Sequence, residues 1–491
     1  MHLTLIGAVQ LVIGFLLLMF GTVPGMLAFV LVSALMMGSS AIDLPAIGAS
    51  SIPPIEFAAV FLTIRVLLPG SINVPALAAA LRANILMIIF VAYGIVGAIL
   101  LPRLYAGQID VVPMRVRALN RYESMERFTY ATQRLLPTSQ NLTTAIYLLG
   151  TVMVAICAYV ALTHKDAWRL LVKTVAVVAL IHVVIGIASV AVPGNAVLTF
   201  FRNGAYAQLN HEFKGYVRVT GLFPEASAYA AYTFTWFCFI FECWLRDVQP
   251  RRTGPLALTM FVVLLISTSS SAYIGLTAFS VVLVIRLILS PTLISSSKMG
   301  VLAAAGLAGL IGSIGAMVAV PHFAEGFGDM LEHMTVGKST STSGLQRAFW
   351  ARKSVEAFQV SGGLGVGPGS LRSSGLFTAI LGSSGVIGLS LFLTHLYRVL
   401  RPLASSTYTP VADEDSSVGV AAAWAAILCV IPLGIAASSP DPGLDFGLLT
   451  GAALALRNRA GSALRTLPAR LPYRPLPGPT PPAQAGAPRQ A

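Results

Sequence analysis

Arg218 and Glu225 share the run RVTGLFPEASAYAAY (218–232), which carries a guanidinium and a carboxylate to the edge of a long apolar segment. A guanidinium can fork onto phosphate oxygens, and a carboxylate beside it can hold or deprotonate a hydroxyl. Gly221 and Pro224 break helix before the apolar run, so Glu225 is expected in the first turn of the next helix. The helix dipole favours a carboxylate there, and capping alone would also explain it. A second polar stretch holds STSGLQRAFWARKSVEAF (341–358), which reads as a helix with Arg347, Ala351, Ser354 and Phe358 on one face and Phe349 and Trp350 suited to headgroup level. Arg218, Glu225 and Arg347 are the candidate catalytic residues.

The stretch ends in GGLGVGPGSLRSS (362–374). No lysine followed by serine or threonine is present to make it a P-loop, and no strand precedes it. Glycine's access to positive φ either turns backbone amides towards an anion or permits a tight turn into the next helix. Gly365 and Gly367, with the cations Lys214, Lys338, Arg352 and Arg372, are the candidate substrate-binding residues. No metal ligand set is expected.

These loops need elements to hold them. The 491 residues are 56% hydrophobic and 10% charged, with mean hydropathy +0.79; a soluble domain is about 25% charged. The fold class is therefore all-α, a polytopic integral membrane bundle with the lipid bilayer as its partner. A crossing needs roughly 20 apolar residues because every backbone amide must be satisfied within its own segment. Spans are expected near 3–20, 25–42, 52–68, 84–101, 142–163, 170–191, 226–245, 255–268, 272–289, 300–320, 374–398, 417–436 and 443–456, within a count of about 12–14. Residues 1–456 form one membrane domain, with no soluble module for a nucleic-acid partner. The four cysteines fall inside spans, as small apolar residues. Arg65, Lys173, Glu242, Arg286 and His395 lie near span ends and are expected to snorkel, whereas His182 sits mid-span and is expected to bond to a neighbouring helix.

From Arg457 to Ala491 the chain carries six arginines, no acidic residue and many prolines. It reads as a disordered basic extension, cytoplasmic by the positive-inside bias. Counting back puts 102–141, 192–225 and 321–373 on the outer face. All three are rich in basic residues, against that bias, and an anionic ligand such as a phosphate is the simplest reason.

Taken together, RVTGLFPEASAYAAY, Arg347 and GGLGVGPGSLRSSGLFTAILGSSGVIGLSLFL resemble the O-antigen ligase and Wzy-type polysaccharide polymerase superfamily. PRLYAG (102–107) and LLPTSQNLTTAIYLLG (135–150) resemble its exopolysaccharide polymerases. The resemblance implies a GT-C-like, metal-independent glycosyltransferase of the bacterial inner membrane that needs no cofactor. Such an enzyme transfers an oligosaccharide repeat unit from undecaprenyl diphosphate to an acceptor hydroxyl at the periplasmic face. It also implies chain-length regulators or export proteins as partners, the diphosphate on Arg218 and Arg347, and Glu225 in the place of an acidic residue. Ligases of the superfamily carry a histidine about where Ser373 and Ser374 stand, and His322 and His333 do not match it. A ligase-type transferase and a secondary transporter of polysaccharide precursors are the alternatives.

Overall fold

The computed structural model describes residues 2–45, 50–114, 130–204, 212–213, 216–289, 295–319, 342–401 and 413–466. Its helices are α1 Leu5–Phe20, α2 Val23–Ser33, α3 Pro54–Leu67, α4 Val74–Ala83, α5 Ile85–Leu104, α6 Ser139–Leu162, α7 Ala167–Ala191, α8 Ala196–Phe200 and α9 Ala226–Leu245. There follow α10 Pro250–Ile266, α11 Ser270–Leu289, α12 Ser296–Ala319, α13 Thr342–Val360, α14 Leu376–Leu400, α15 Glu414–Leu428, α16 Val430–Ala436 and α17 Leu444–Thr466. Among the described residues, six apolar helical stretches are long enough to cross a membrane: α5, α6, α7, α11, α14, and α15 running on into α16. The protein is thus mostly helical and multi-pass by helix length and composition.

Several expected spans are shorter than anticipated. The segment expected at 25–42 ends its helix early. Gly38 then donates its amide to the carbonyl of Leu222 at 2.8 Å, which turns the chain into strand β2. Strands β1 (His2–Leu3), β2 (Ile42–Leu44) and β3 (Ser50–Ile52) form a small antiparallel sheet, with Leu3 opposite Ile42 and Ile42 opposite Ile52. The last helix runs the other way, past Leu456 to Thr466. Alanine, leucine and arginine favour helix there, and the first proline, which restricts the residue before it, comes only at Pro468. The start of the expected disordered extension is corrected accordingly; residues 467–491 lie outside the described residues.

The core is built on close backbone approach. Helix α17 lies along α6 through Gly447 and Gly451, where a Cβ would overlap the carbonyl oxygens of Thr151 and Ala155. This is the spacing by which small residues let membrane helices touch. The same pairings fix register: Leu444, the first residue of α17, starts well below the N-terminal end of α6. Helix α3 is offset likewise, since Gly150 of α6 packs on Glu56 in the first turn of α3. At the end of the bundle where α6 begins, strands β4 (Asp110–Val111) and β5 (Gln133–Arg134) pair, and Ile109, Val111, Leu135, Ala357, Val366 and Leu371 form a second, smaller core. That core ties the hairpin and α13 to the glycine-rich turn.

Most charges expected to snorkel do not. Glu242 is 2% exposed and Arg286 5%. The two form a bidentate pair at 2.8 and 2.9 Å, Arg246 joins Glu242 at 2.8 Å, and the Arg286 guanidinium lies 4.1 Å from the ring centre of Trp424. His395 is fully buried on α14. Arg65 binds the carbonyl of Leu18 at 2.7 Å and that of Gly21, closing the C-terminal end of α1. Lys173 remains exposed. His182 bonds Thr233 of α9 at 2.7 Å and stacks on Tyr229, as its mid-span position suggested. All four cysteines are buried and unpaired with each other.

Candidate anion site at the loop end of the bundle

Arg218 follows the short strand β7 (Tyr216–Val217), paired with β6 (Glu212–Phe213). The turn after it is fixed from two sides. Ser189 of α7 accepts the amide of Gly221 at 3.1 Å, and Gly38 bonds Leu222. Gly221 has φ 53°, and its Cα faces the Tyr229 ring, so a side chain would be both strained and crowded. With the turn anchored, the Arg218 guanidinium donates to the carbonyl of Thr268 at 3.0 Å.

Thr268 closes the turn between α10 and α11 with φ 48°. A β-branched residue rarely adopts that conformation, which costs of order 1–3 kcal/mol. The hydroxyls of Thr268 and of its neighbour Ser269 are buried without a hydrogen-bond partner among the described residues. Tyr273, on the first turn of α11, lies within electrostatic reach of Arg218 and donates to Leu265 at 2.7 Å.

Glu225 is placed differently from the expectation. It is the residue before the first turn of α9, with extended backbone, and its side chain makes no capping bond. Its carboxylate instead accepts the Ser227 hydroxyl. Arg218 and Arg372 both feel Glu225 and both feel Arg347. Burial pushes both guanidiniums below the usual arginine value, Glu225 pulls them back up, and Arg347 adds to the fall.

Arg347 stands on α13, as the sequence suggested, and reaches the carbonyl of Ile435 at the end of α16, 3.4 Å away. Ser374 donates to the backbone carbonyl of Arg347 at 2.6 Å. Arg372 lies 4.4 Å from the ring centre of Trp350, so that tryptophan props an arginine rather than facing headgroups. Three arginines and one carboxylate, drawn from three segments, thus come within electrostatic reach, Glu225 and Arg347 each acting on both Arg218 and Arg372, and leave a formal excess of positive charge that suits a multivalent anion.

Other candidates fall elsewhere. The amide of Gly365 donates to Ser361 at 2.8 Å and that of Gly367 to Ser383 at 2.8 Å, so neither is aimed at an anion. Both glycines hold positive φ and press against backbone, Gly365 on Ser383 in α14 and Gly367 on Gly97 in α5. The tight-turn alternative is the one the geometry favours. Arg352 is exposed and lies 5.6 Å from the ring centre of Phe349. Lys214 and Lys338 lie outside the described residues.

Sequence reasoning missed Thr268 and Tyr273, although the polar run STSSS (267–271) between two apolar segments was a visible signal. It also missed two carboxylates that adjacent residues of α6 bring together. Asp441 accepts the Thr151 hydroxyl at 2.7 Å, Glu56 lies against Gly150, and the two acids are within electrostatic reach of each other. No protein-family model matches the chain, and no curated protein matches it either.

Proposed function

We propose that the protein is a GT-C-like polysaccharide polymerase that works at the outer face of a bacterial inner membrane. It joins an undecaprenyl-diphosphate-linked repeat unit to an acceptor sugar hydroxyl. The observation that carries this reading is the convergence of Arg218, Arg347 and Arg372 around Glu225 at one end of a multi-pass helical bundle. A lipid-linked sugar diphosphate already has a good leaving group. Catalysis then requires a fixed positive field where diphosphate charge develops, and an oriented hydroxyl.

Arg218 and Arg347 would take the diphosphate oxygens, because each guanidinium is anchored on a backbone carbonyl and needs little reorganisation. Glu225, free of capping duty, would accept the acceptor's proton or orient its hydroxyl. A ligase reading is weaker at the positions where ligases carry histidine. There Ser373 bonds Thr378 at 2.8 Å and Ser374 bonds the Arg347 backbone.

The test is purified protein given a lipid-linked repeat unit, with chain length followed in time. Elongation that releases undecaprenyl diphosphate supports the reading. Transfer to a lipid A core acceptor without elongation would replace it with a ligase.

A further inference from the structure

Helix α1 packs on α2 and α3, and α2 packs on α7, without α1 closing onto α7. The wedge between them is an open-sided cavity of about 680 Å³. Its lining runs along α1 from Leu5 to Leu17, roughly 18 Å at 1.5 Å per residue. That is close to the depth of one leaflet, half of a hydrocarbon core about 30 Å thick. Val9, Ile13, Val32 and Val177 on its walls are exposed, so the opening faces sideways from the bundle, where lipid lies.

Four polar residues interrupt an otherwise apolar lining. The Gln10 amide donates to the Ser33 hydroxyl at 2.8 Å, which leaves Lys173 and Thr174. These two lie at the end away from the arginine cluster. The last turn of α7 meets Gly221 through Ser189, and Lys173 precedes Ser189 by 16 residues, roughly 24 Å. Helix α2 ends on that same turn through Gly38, so its start and the end of α1 that it follows lie towards Lys173. Lys173 is exposed and makes no ion pair or hydrogen bond among the described residues. Arg169, one helical turn earlier, has Asp166 at 3.6 Å.

An uncompensated ammonium in the wall of an apolar groove is complementary to a net-negative head, whereas a choline or ethanolamine head would bring its own ammonium against Lys173. We propose that this groove binds an anionic glycerophospholipid of the leaflet opposite the arginine cluster, with one acyl chain along α1 and the phosphate on Lys173. The inference stands apart from the polymerase reading, because the groove's cation lies at the other end of the bundle from Arg218 and Arg347. The chain fills the wedge that α1 leaves beside α7, so bound lipid adds stability to the folded protein.

The experiment gives detergent-purified, delipidated protein equal amounts of phosphatidylglycerol and phosphatidylcholine with the same acyl chains. Retained lipid is read by native mass spectrometry and stability by melting temperature. Lys173→Gln removes the cation, while Ile13→Trp and Val177→Trp fill the groove from opposite walls. Arg82→Gln, at an exposed cation outside the lining, is the control. The parent is expected to retain one phosphatidylglycerol about fivefold over phosphatidylcholine, the gain from one lysine beside an anionic head, and to melt higher with it. Lys173→Gln is expected to bring the two lipids level, the tryptophan variants to retain neither, and Arg82→Gln to match the parent.

No preference in the parent, a preference that survives Lys173→Gln, or retention unchanged in both tryptophan variants would overturn the site. Displacement of phosphatidylglycerol by an equal amount of undecaprenyl phosphate would overturn it too, by handing the groove to a polyprenyl chain.

Discussion

Arg218 donates to the carbonyl of Thr268, and Thr268 presents that carbonyl only because its backbone is held at φ 48°. The arginine at the start of one loop is therefore aimed by a turn fifty residues later. Removing either charge-assisted contact to a developing anion costs about 3 kcal/mol, on the order of a hundredfold in rate. Arg218→Ala and Arg347→Ala are expected to slow elongation by that factor at equal protein levels, and lysine at either position to recover only part of it, lacking the fork. Normal polymer length in both alanine variants would refute the assignment.

Glycine at Thr268 separates aim from charge. Thr268→Gly relieves the backbone strain, so stability is expected to hold or rise, while the loosened turn lets Arg218 wander and kcat falls. A melting temperature and kcat that both drop would mean the turn is structural only.

Glu225→Gln keeps shape and cannot take a proton. We expect a loss on the order of a hundredfold in elongation rate with unchanged abundance. A residue acting only as a helix cap would instead cost about 1 kcal/mol of stability on replacement by alanine. Near-parental elongation by the glutamine variant would leave only the arginines as catalytic devices.

At the far end of α9, Glu242→Ala leaves Arg246 and Arg286 buried without their carboxylate. Breaking a buried pair from one side costs roughly 3–5 kcal/mol, so the variant is expected to fall in yield and melting temperature far more than Glu356→Ala, which removes a partly exposed partner of Lys353. Similar behaviour of the two variants would contradict the burial argument.

The outward placement of the loop end is checked with single cysteines, since all native cysteines are buried. Gln108→Cys and Arg252→Cys are both at exposed positions. An impermeant thiol reagent added to whole cells is expected to label the first only; labelling of the second alone would invert the topology.

Much of the architecture was legible because a membrane helix announces itself by composition: each expected apolar run contains helix, although six stretches among the described residues are long and apolar enough to cross and the run at 25–42 gives way to strand β2. What stayed hidden depended on partners distant in sequence. Glu242 near a span end reads as a snorkelling charge until Arg286 is seen beside it. Gly365 and Gly367 read equally as an anion cradle or a tight turn, and only Ser361 and Ser383, which take their amides, decide between the two. The arginines were legible as types in polar loops. Their convergence was not, because it depends on α16 presenting Ile435 and on the turn at Thr268.

The buried Glu242–Arg286 pair bears on how the chain is made. Glu242 leaves the insertion machinery already paired with Arg246 on its own helix, whereas Arg286 on α11 finds its carboxylate only on α9. A lone charge released into lipid costs about 2.5–3.5 kcal/mol at a helix centre and less near an end, so α11 is expected to settle only against an α9 already in place, and Glu242→Gln should leave α11 more readily extractable than in the parent.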